Sequence, residues 1–340
     1  MRVAIVGCGL IGRKRAAALG DAVLAAVADT NPQRAAQLAG QHPGCAVEPD
    51  WQACVARADV DAVIVSTVND GLAPITLGAV RQGKHVLVEK PAGRNAGELR
   101  LVRQAADAAG VVVKVGFNHR FHPAFLDARK IVDEGGIGPL LYVRGRYGHG
   151  GRLGYDREWR ADPAVAGGGE LLDQGVHLID LSRWFLGDFV ETFGHTSTYF
   201  WDMPVEDNGF LSLRTATGQT AWLHASCTEW KNLFSFEIFG KGGKLQIDGL
   251  GGSYGVERLS FYRMLPQMGP PETTIREYPG EDLSWRKEFA HFCECISTGR
   301  APGGGLDDAR AALEVVGSAY EQSAARGRAA GARAEHRRAV

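Results

Sequence analysis

Over the first 118 residues, short apolar runs alternate with stretches whose apolar positions recur every three or four residues. Val3–Val6, Val23–Ala28, Ala62–Ser66, His85–Glu89 and Val111–Gly116 carry little polar alternation, the pattern of strands buried on both faces. Lys14–Leu19, Gln33–Leu38, Pro74–Gln82 and Ala96–Ala109 fall between them at helical spacing. Asn31-Pro32 marks a helix start, because proline there needs no hydrogen-bonded N–H. Strand and helix in strict alternation predict an α/β fold, a doubly wound parallel sheet covered on both faces.

From about Asn118 the rhythm changes. Pro123–Glu134 reads as a helix broken by Gly135-Gly136-Ile137-Gly138-Pro139, and a strand follows over Leu140–Tyr147. A loop rich in glycine, arginine and aromatics runs on through Trp159, and Gly167-Gly168-Gly169 leads into a helix from Glu170 to Phe185. Thr192–Tyr199, Gly209–Thr215, Thr220–Cys227, Phe234–Gly240 and Lys244–Ile247 are strand-like, and turns at Gly218 and Gly242-Gly243 make them an antiparallel meander. Helices over Ser284–Thr298 and Leu306–Ala325 close the pattern. The expected division is 1–118, a doubly wound domain; 119–325, an α+β domain with a large, open, mostly antiparallel sheet; and 326–340, a basic tail.

Composition narrows the function classes. A chain of 340 residues with 45% hydrophobic and 23% charged residues is ordinary for two globular domains. Its formal net charge of -1 gives no electrostatic case for nucleic acid or an anionic membrane. The six cysteines contain no CxxC pair, so reduced thiols and a cytoplasmic setting are expected. No apolar run reaches the ~18 residues of a membrane span. Near the N-terminus, Gly7 and Gly9 break the apolar run, so strand-turn-helix replaces a signal peptide as the reading.

Gly7-Cys8-Gly9-Leu10-Ile11-Gly12 follows the first strand and opens a helix. In a dinucleotide site Gly7 permits the tight turn, Gly9 lets the backbone approach a pyrophosphate, and Gly12 allows close helix–strand packing. The helix N-terminus would then face the phosphates. Asp29 ends the second strand, where a carboxylate accepts hydrogen bonds from both adenine-ribose hydroxyls. Its charge repels a 2′-phosphate and Thr30 follows it, so NAD is favoured over NADP; Arg13 and Arg34 are the nearby cations NADP would need. Such a turn with no ligand is the competing reading.

Glu89-Lys90-Pro91 ends the fourth of the buried strands, and ligands of such sheets bind outside the strands' carboxyl ends. Lys90 there suits a cation that stabilises charge growing on a substrate oxygen, or a loop cation paired with Glu89. Asp173 and His177 fall one turn apart on one helix face. Imidazole takes a hydroxyl proton near neutral pH, and the acid orients it or binds a neighbouring hydroxyl. A surface hydrogen-bonded pair and a metal site are the alternatives. No further ligands at convincing spacing support a metal.

In this order and spacing the glycine turn, Glu89-Lys90-Pro91 and Asp173-x-x-x-His177 resemble the glucose–fructose oxidoreductase / inositol dehydrogenase (Gfo/Idh/MocA) family over nearly the whole chain. The resemblance implies a Rossmann domain, a second domain of helices and an open sheet, and a nicotinamide-dependent oxidoreductase of a sugar, cyclitol or derivative. Cofactor contacts are then expected from Gly7, Gly9, Leu10, Ile11 and Gly12, and from Asp29, Thr30 and Arg34. Thr67 and Asn69 match a Thr-x-Asn segment beside the cofactor, and Glu89, Lys90 and Asn118 complete that set. Leu72 stands where family members commonly carry histidine. Lys90 matches the family's lysine, Asp173 its substrate-orienting acid and His177 its proton acceptor. His119 and Arg120, in the segment crossing into the second domain, join the substrate contacts, with specificity from Arg152, Tyr155, Arg157 and Trp159. Heavy use of alanine and arginine fits a GC-rich bacterium, where nucleotide-linked or aminoglycoside sugars, oxidised at C3, are candidate substrates. A redox-neutral NAD-dependent glycosidase and a non-enzymatic NAD-binding regulator share the pattern. The family's exposed sheet implies a homodimer or homotetramer.

Overall fold

The computed structural model describes the backbone of residues 1–339 and the side chains of residues 1–326. Past Arg326, the expected basic tail lies outside the residues whose side chains are described. Contacts divide the chain into two compact units. The first comprises Met1–His122, Ala164–Gly167 and Asp282–Ala311; the second comprises Pro123–Pro163, Gly168–Glu281 and Ala312–Val340.

In the first unit, β1 (Arg2–Val6), β2 (Val23–Ala28), β3 (Ala46–Val47), β4 (Ala62–Val65), β5 (His85–Val88) and β6 (Val113–Val115) form one sheet in the order β3-β2-β1-β4-β5-β6. All its pairings are parallel. The order reverses beside β1, which places ligands at the carboxyl ends of β1 and β4. Connecting helices are α1 (Leu10–Ala17), α2 (Pro32–Ala39), α3 (Trp51–Ala56), α4 (Asn69–Arg81) and α5 (Ala96–Ala109). Asn31 caps α2 by accepting from the N–H groups of Gln33 and Arg34. Two elements escape the sequence pattern: β3 has two residues and α3 six, too short to show a period. α4 begins five residues earlier than its proline signalled, with Pro74 inside it.

The second half carries α6 (Pro123–Asp133), β7 (Leu140–Gly148), the short α7 (Pro163–Ala166), α8 (Val176–Leu186), β8 (Phe189–Ser197), β9 (Asn208–Thr215), β10 (Thr220–Ser226), β11 (Leu233–Gly240), β12 (Gly243–Asp248), β13 (Glu257–Arg263) and β14 (Glu272–Tyr278). They end in α9 (Ser284–Thr298) and α10 (Leu306–Ala339). α9 belongs with the first unit, although its sequence position sets it among residues 119–325. Phe289 and Phe292 are the reason, packed in the core with Val3, Ile5, Leu24, Ile64 and Leu87. Each such buried ring contributes about 2–3 kcal/mol by area removed from water.

In the second unit β7–β14 form an eight-stranded sheet in the order β14-β13-β12-β11-β7-β10-β9-β8. It is antiparallel except for β7 and β10, which pair in parallel. Alternation sorts its faces: Val143, Gly145, Tyr147, Leu223, Phe236 and Ile238 are buried. Leu178 of α8 packs so tightly on this face that a Cβ on Gly145 would come within 3.0 Å of it. The opposite face presents Arg144, Phe193, His195 and Trp222, which line a groove of about 650 Å³.

Candidate active site

The glycine turn is fixed by sterics. Gly7 has φ +96°, and a Cβ there would sit 2.5 Å from the Ser66 carbonyl oxygen. At Gly12 a Cβ would lie 2.0 Å from the Gly7 oxygen, so the helix start and the turn touch backbone to backbone. At Gly9 a Cβ would meet no atom within 4 Å, and the turn's backbone is open to a ligand there. Leu10 and Ile11 begin α1 beside it. Asp29 accepts from the Cys8 N–H at 2.6 Å and from the Asn31 N–H at 2.7 Å, tying the acid to the turn. Thr30 and Arg34 are exposed next to it. Burial, with Asp29 beside it, pushes the Cys8 thiol up to about 12, so Cys8 is an inert packing residue. The turn and its adjacent acid fit a dinucleotide.

Glu89, expected among the cofactor contacts, is committed to a buried ion network. Arg15 of α1 reaches Glu89 at 2.5 Å and Glu288 at 2.7 Å, and Lys114 stands 3.6 Å from Glu288. Burial pushes the Glu89 carboxyl above its usual range against the pull of Arg15. Lys90 follows at the strand's exit, half-buried, before a cis bond to Pro91. Asn69 is buried and donates to the Ala166 carbonyl at 2.9 Å, and Thr67 Oγ1 donates to the Val68 carbonyl at 3.1 Å. Leu72 is fully buried in α4. Asn118 donates to Ser284 Oγ at 2.9 Å, and Arg120 pairs with Asp308 at 3.2 Å; both are buried, as is His119. Within the first unit these residues hold α9 and α10 in place.

In the second unit the helix bearing Asp173 and His177 is not regular. Leu171–Gly175 is a π-helical turn, and α8 begins at Val176. The wider turn re-aims Asp173 relative to an α-helix, a device common at functional sites. Glu206 anchors the start, accepting from the N–H groups of Gly169 (3.0 Å) and Leu171 (3.1 Å) and from the Tyr320 hydroxyl (2.7 Å). Its burial pushes the carboxyl up to about 7, even with those donors favouring the charge. A Cβ on Gly168 would lie 2.1 Å from the Tyr320 hydroxyl and one on Gly169 2.0 Å from the Glu206 carbonyl oxygen, so this close anchoring requires glycine.

His177 is 4% exposed and meets the Tyr147 ring edge-on at 6.1 Å. Arg160 Nε donates to Asp173 Oδ2 at 3.0 Å. His149 Nε2 faces Glu170 Oε1 at 3.4 Å, while its Nδ1 accepts from the Gly151 N–H at 2.9 Å. Burial opposes charge on His149, yet Glu170 and Asp173 hold its pKa above the usual histidine range. The Gly151 N–H works against that rise and favours the neutral ring with its proton on Nε2. Tyr155 is buried in a small core with Ala161, Met203, Val205 and Cys227, its hydroxyl 3.3 Å from Glu170. Arg152 pairs with Glu158 at 2.5 Å, Arg157 is exposed, and Trp159 carries the Arg160 guanidinium 4.5 Å above its ring. Tyr155 is thus a packing residue of the predicted specificity loop. His149, Arg160 and Glu170 are additions that no sequence signal separated from their neighbours. Among the described residues, no group of three or more His, Cys, Asp or Glu side chains is placed to hold a metal ion, and no helix is long and apolar enough to cross a membrane.

Residues 1–117 match the model of the oxidoreductase family with an NAD-binding Rossmann fold, and residues 125–246 match the GFO/IDH/MocA C-terminal domain. The chain is 31% identical over 202 residues to levoglucosan dehydrogenase of Pseudarthrobacter phenanthrenivorans, a match covering 56% of this chain and 50% of the relative. It is 33% identical over 226 residues to inositol 2-dehydrogenase 2 of Saccharopolyspora erythraea, covering 64% of each. These matches therefore span between half and two thirds of the relatives' lengths. A solved levoglucosan dehydrogenase in complex with NADH superposes with a TM-score of 0.85 at 24% identity, over 95% of this chain and 97% of that one, a likeness of fold. The chain belongs to the Gfo/Idh/MocA family of oxidoreductases, and residues 1–117 are that family's NAD-binding Rossmann fold.

Proposed function

We propose that the protein is an NAD-dependent dehydrogenase that oxidises a secondary hydroxyl of a sugar, cyclitol or sugar derivative to a ketone. The observation that carries this reading is Asp173 and His177 on one irregular helix, the acid ion-paired and the imidazole buried against Tyr147. NAD, when bound, supplies the oxidant. Gly7, Gly9 and Gly12 admit its phosphates, and Asp29 accepts from its ribose hydroxyls and disfavours a 2′-phosphate. His177 takes the substrate's hydroxyl proton, Asp173 orients the neighbouring part of the ring, and Lys90 stabilises the negative charge growing on the oxygen. In the reductive direction each residue acts in reverse.

The relatives named as levoglucosan and inositol dehydrogenases support a polyhydroxylated ring as substrate. The test is NADH formation across free sugars, cyclitols, nucleotide sugars and aminoglycosides. Absence of NADH from every class removes the reading, and turnover without net NADH points to redox-neutral chemistry. Free thiols at Cys8, Cys45, Cys54, Cys227, Cys293 and Cys295 support a cytoplasmic setting. Exposed Phe193 and Trp222 on the outer sheet face support a homo-oligomer built through that face.

A further inference from the structure

Glu89 is gripped at three points. Its N–H donates to the Val65 carbonyl at 2.8 Å, and its own carbonyl accepts from the Ala92 N–H at 2.9 Å. Its carboxylate takes Arg15 Nε at 2.6 Å and Arg15 Nη2 at 2.5 Å, both on Oε1. Arg15 is held in turn: Nη1 donates to Glu288 Oε2 at 2.7 Å, and the guanidinium lies 4.5 Å over the Trp285 ring. Lys114 stands 3.6 Å from Glu288 and donates to the Gly303 carbonyl at 2.7 Å. Gly116 crowds the same pair, since a Cβ there would stand 2.6 Å from Arg15 Nη2 and 3.0 Å from Glu89 Oε2. Lys90 is the next residue in the chain, inside the turn that the Glu89–Ala92 bond closes. Ala92 has φ +71°, a left-handed backbone that a residue with a Cβ adopts only where its surroundings impose it.

Stability alone does not account for two cations and two carboxylates in this place. The side chains of Arg15, Lys114 and Glu288 are at most 1% exposed, and a network so buried gains little over apolar side chains of similar volume. α9 is already fastened to the core by Phe289 and Phe292. What the ions add is direction, because a planar guanidinium donates to two carboxylates only at fixed angles. We propose that Arg15, set by Glu288, is a positioning residue for Lys90: it holds the Glu89 carboxylate and so fixes the turn that presents the Lys90 ammonium. Every contact in this chain of positioning lies within the first unit. The inference rests on the dehydrogenase reading for what Lys90 does once it is placed.

The test compares wild type, Arg15→Lys and the paired change Arg15→Met/Glu288→Met, each with and without Lys90→Ala. The paired change removes one buried charge of each sign and leaves the network neutral overall; thermal melts check folding. Arg15→Lys, which keeps the charge and loses the fork, carries the test if the paired variant does not fold. Expected is a kcat for NADH formation roughly 10²-fold lower in the paired variant and intermediate in Arg15→Lys, with NADH affinity by fluorescence titration within about threefold of wild type. On the Lys90→Ala background the same changes should cost nothing further, because residues that act as one unit are not additive. Independently of turnover, reductive ¹³C-methylation labels the lysines, and the NMR signal missing from Lys90→Ala is that of Lys90. It should move toward the signals of exposed lysines in the variants. Rates that fall equally with and without Lys90, or that fall together with NADH affinity, overturn the proposal and leave Arg15 a packing role. A Lys90 signal that stays in place overturns it as well. A wild type that forms no NADH from any sugar class removes the dehydrogenase reading, and the Lys90 signal then decides the positioning by itself.

Discussion

His177 turns the proposed chemistry on a single proton. His177→Ala is expected to lower kcat by roughly 10²–10⁴-fold. The wild-type oxidation rate should rise with pH through one ionisation, since the neutral ring is the base, and that limb should vanish in the variant. Asp173→Asn should keep the limb and move it to lower pH, because removing a nearby negative charge disfavours the imidazolium. A kcat–pH profile of the three proteins decides, and an unchanged limb in His177→Ala would transfer the role elsewhere. Lys90→Ala should lose most turnover while NAD still binds, which fluorescence titration beside steady-state rates would show. The glycine turn, Lys90 and the Asp173–His177 spacing were legible because each is a local pattern. Arg160, His149 and Glu170 were not, because their meaning lies in partners 13 to 21 residues away across a loop. Glu89 shows the limit from the other side: its motif points to a ligand, and only long-range contact reveals Arg15 as its partner.

Glu206 makes the start of the π-turn sensitive to pH. Its folded pKa, about 7, exceeds the ordinary 4.5, so its contribution to stability is fully present below about 4.5 and is lost as pH rises through 7. That loss amounts to up to about 3 kcal/mol. Urea titrations across this window should show unfolding free energy falling in the wild type and flatter in Glu206→Gln. Parallel pH dependence in the two proteins would rule out Glu206 as the source. Most strands were readable where burial writes itself into composition, as in β4 with Ala62, Val63, Ile64 and Val65 all buried. β14 was missed for the opposite reason: Glu272–Tyr278 is an exposed edge, with no buried face to impose alternation. The π-turn was read as plain helix, since one extra residue within five changes the backbone bonding and leaves the apolar spacing nearly intact.

On the scale of the molecule, the outer face of the eight-stranded sheet combines ordered polar pairs with exposed apolar rings. Arg144 and Glu237 pair across β7 and β11, His195, Phe210 and His224 stack across β8, β9 and β10, and Trp222 is 66% exposed. If copies assemble there, Trp222→Glu should shift the mass measured by light scattering toward the monomer while the melting temperature falls little. An unchanged mass would move the assembly surface elsewhere. The parallel pairing of β7 with β10 joins strands that are far apart in the chain. Its two strands are neighbours in space, yet residues 149–219 intervene, and they include His149, Arg160, Glu170, Asp173 and His177. The stretch between them, with α8, β8 and β9 inside it, is therefore held at both ends by the middle of the sheet. Long-range pairings of this kind form slowly, so recovery of the proposed dehydrogenase activity on refolding should follow the β7–β10 pairing and trail the appearance of helix.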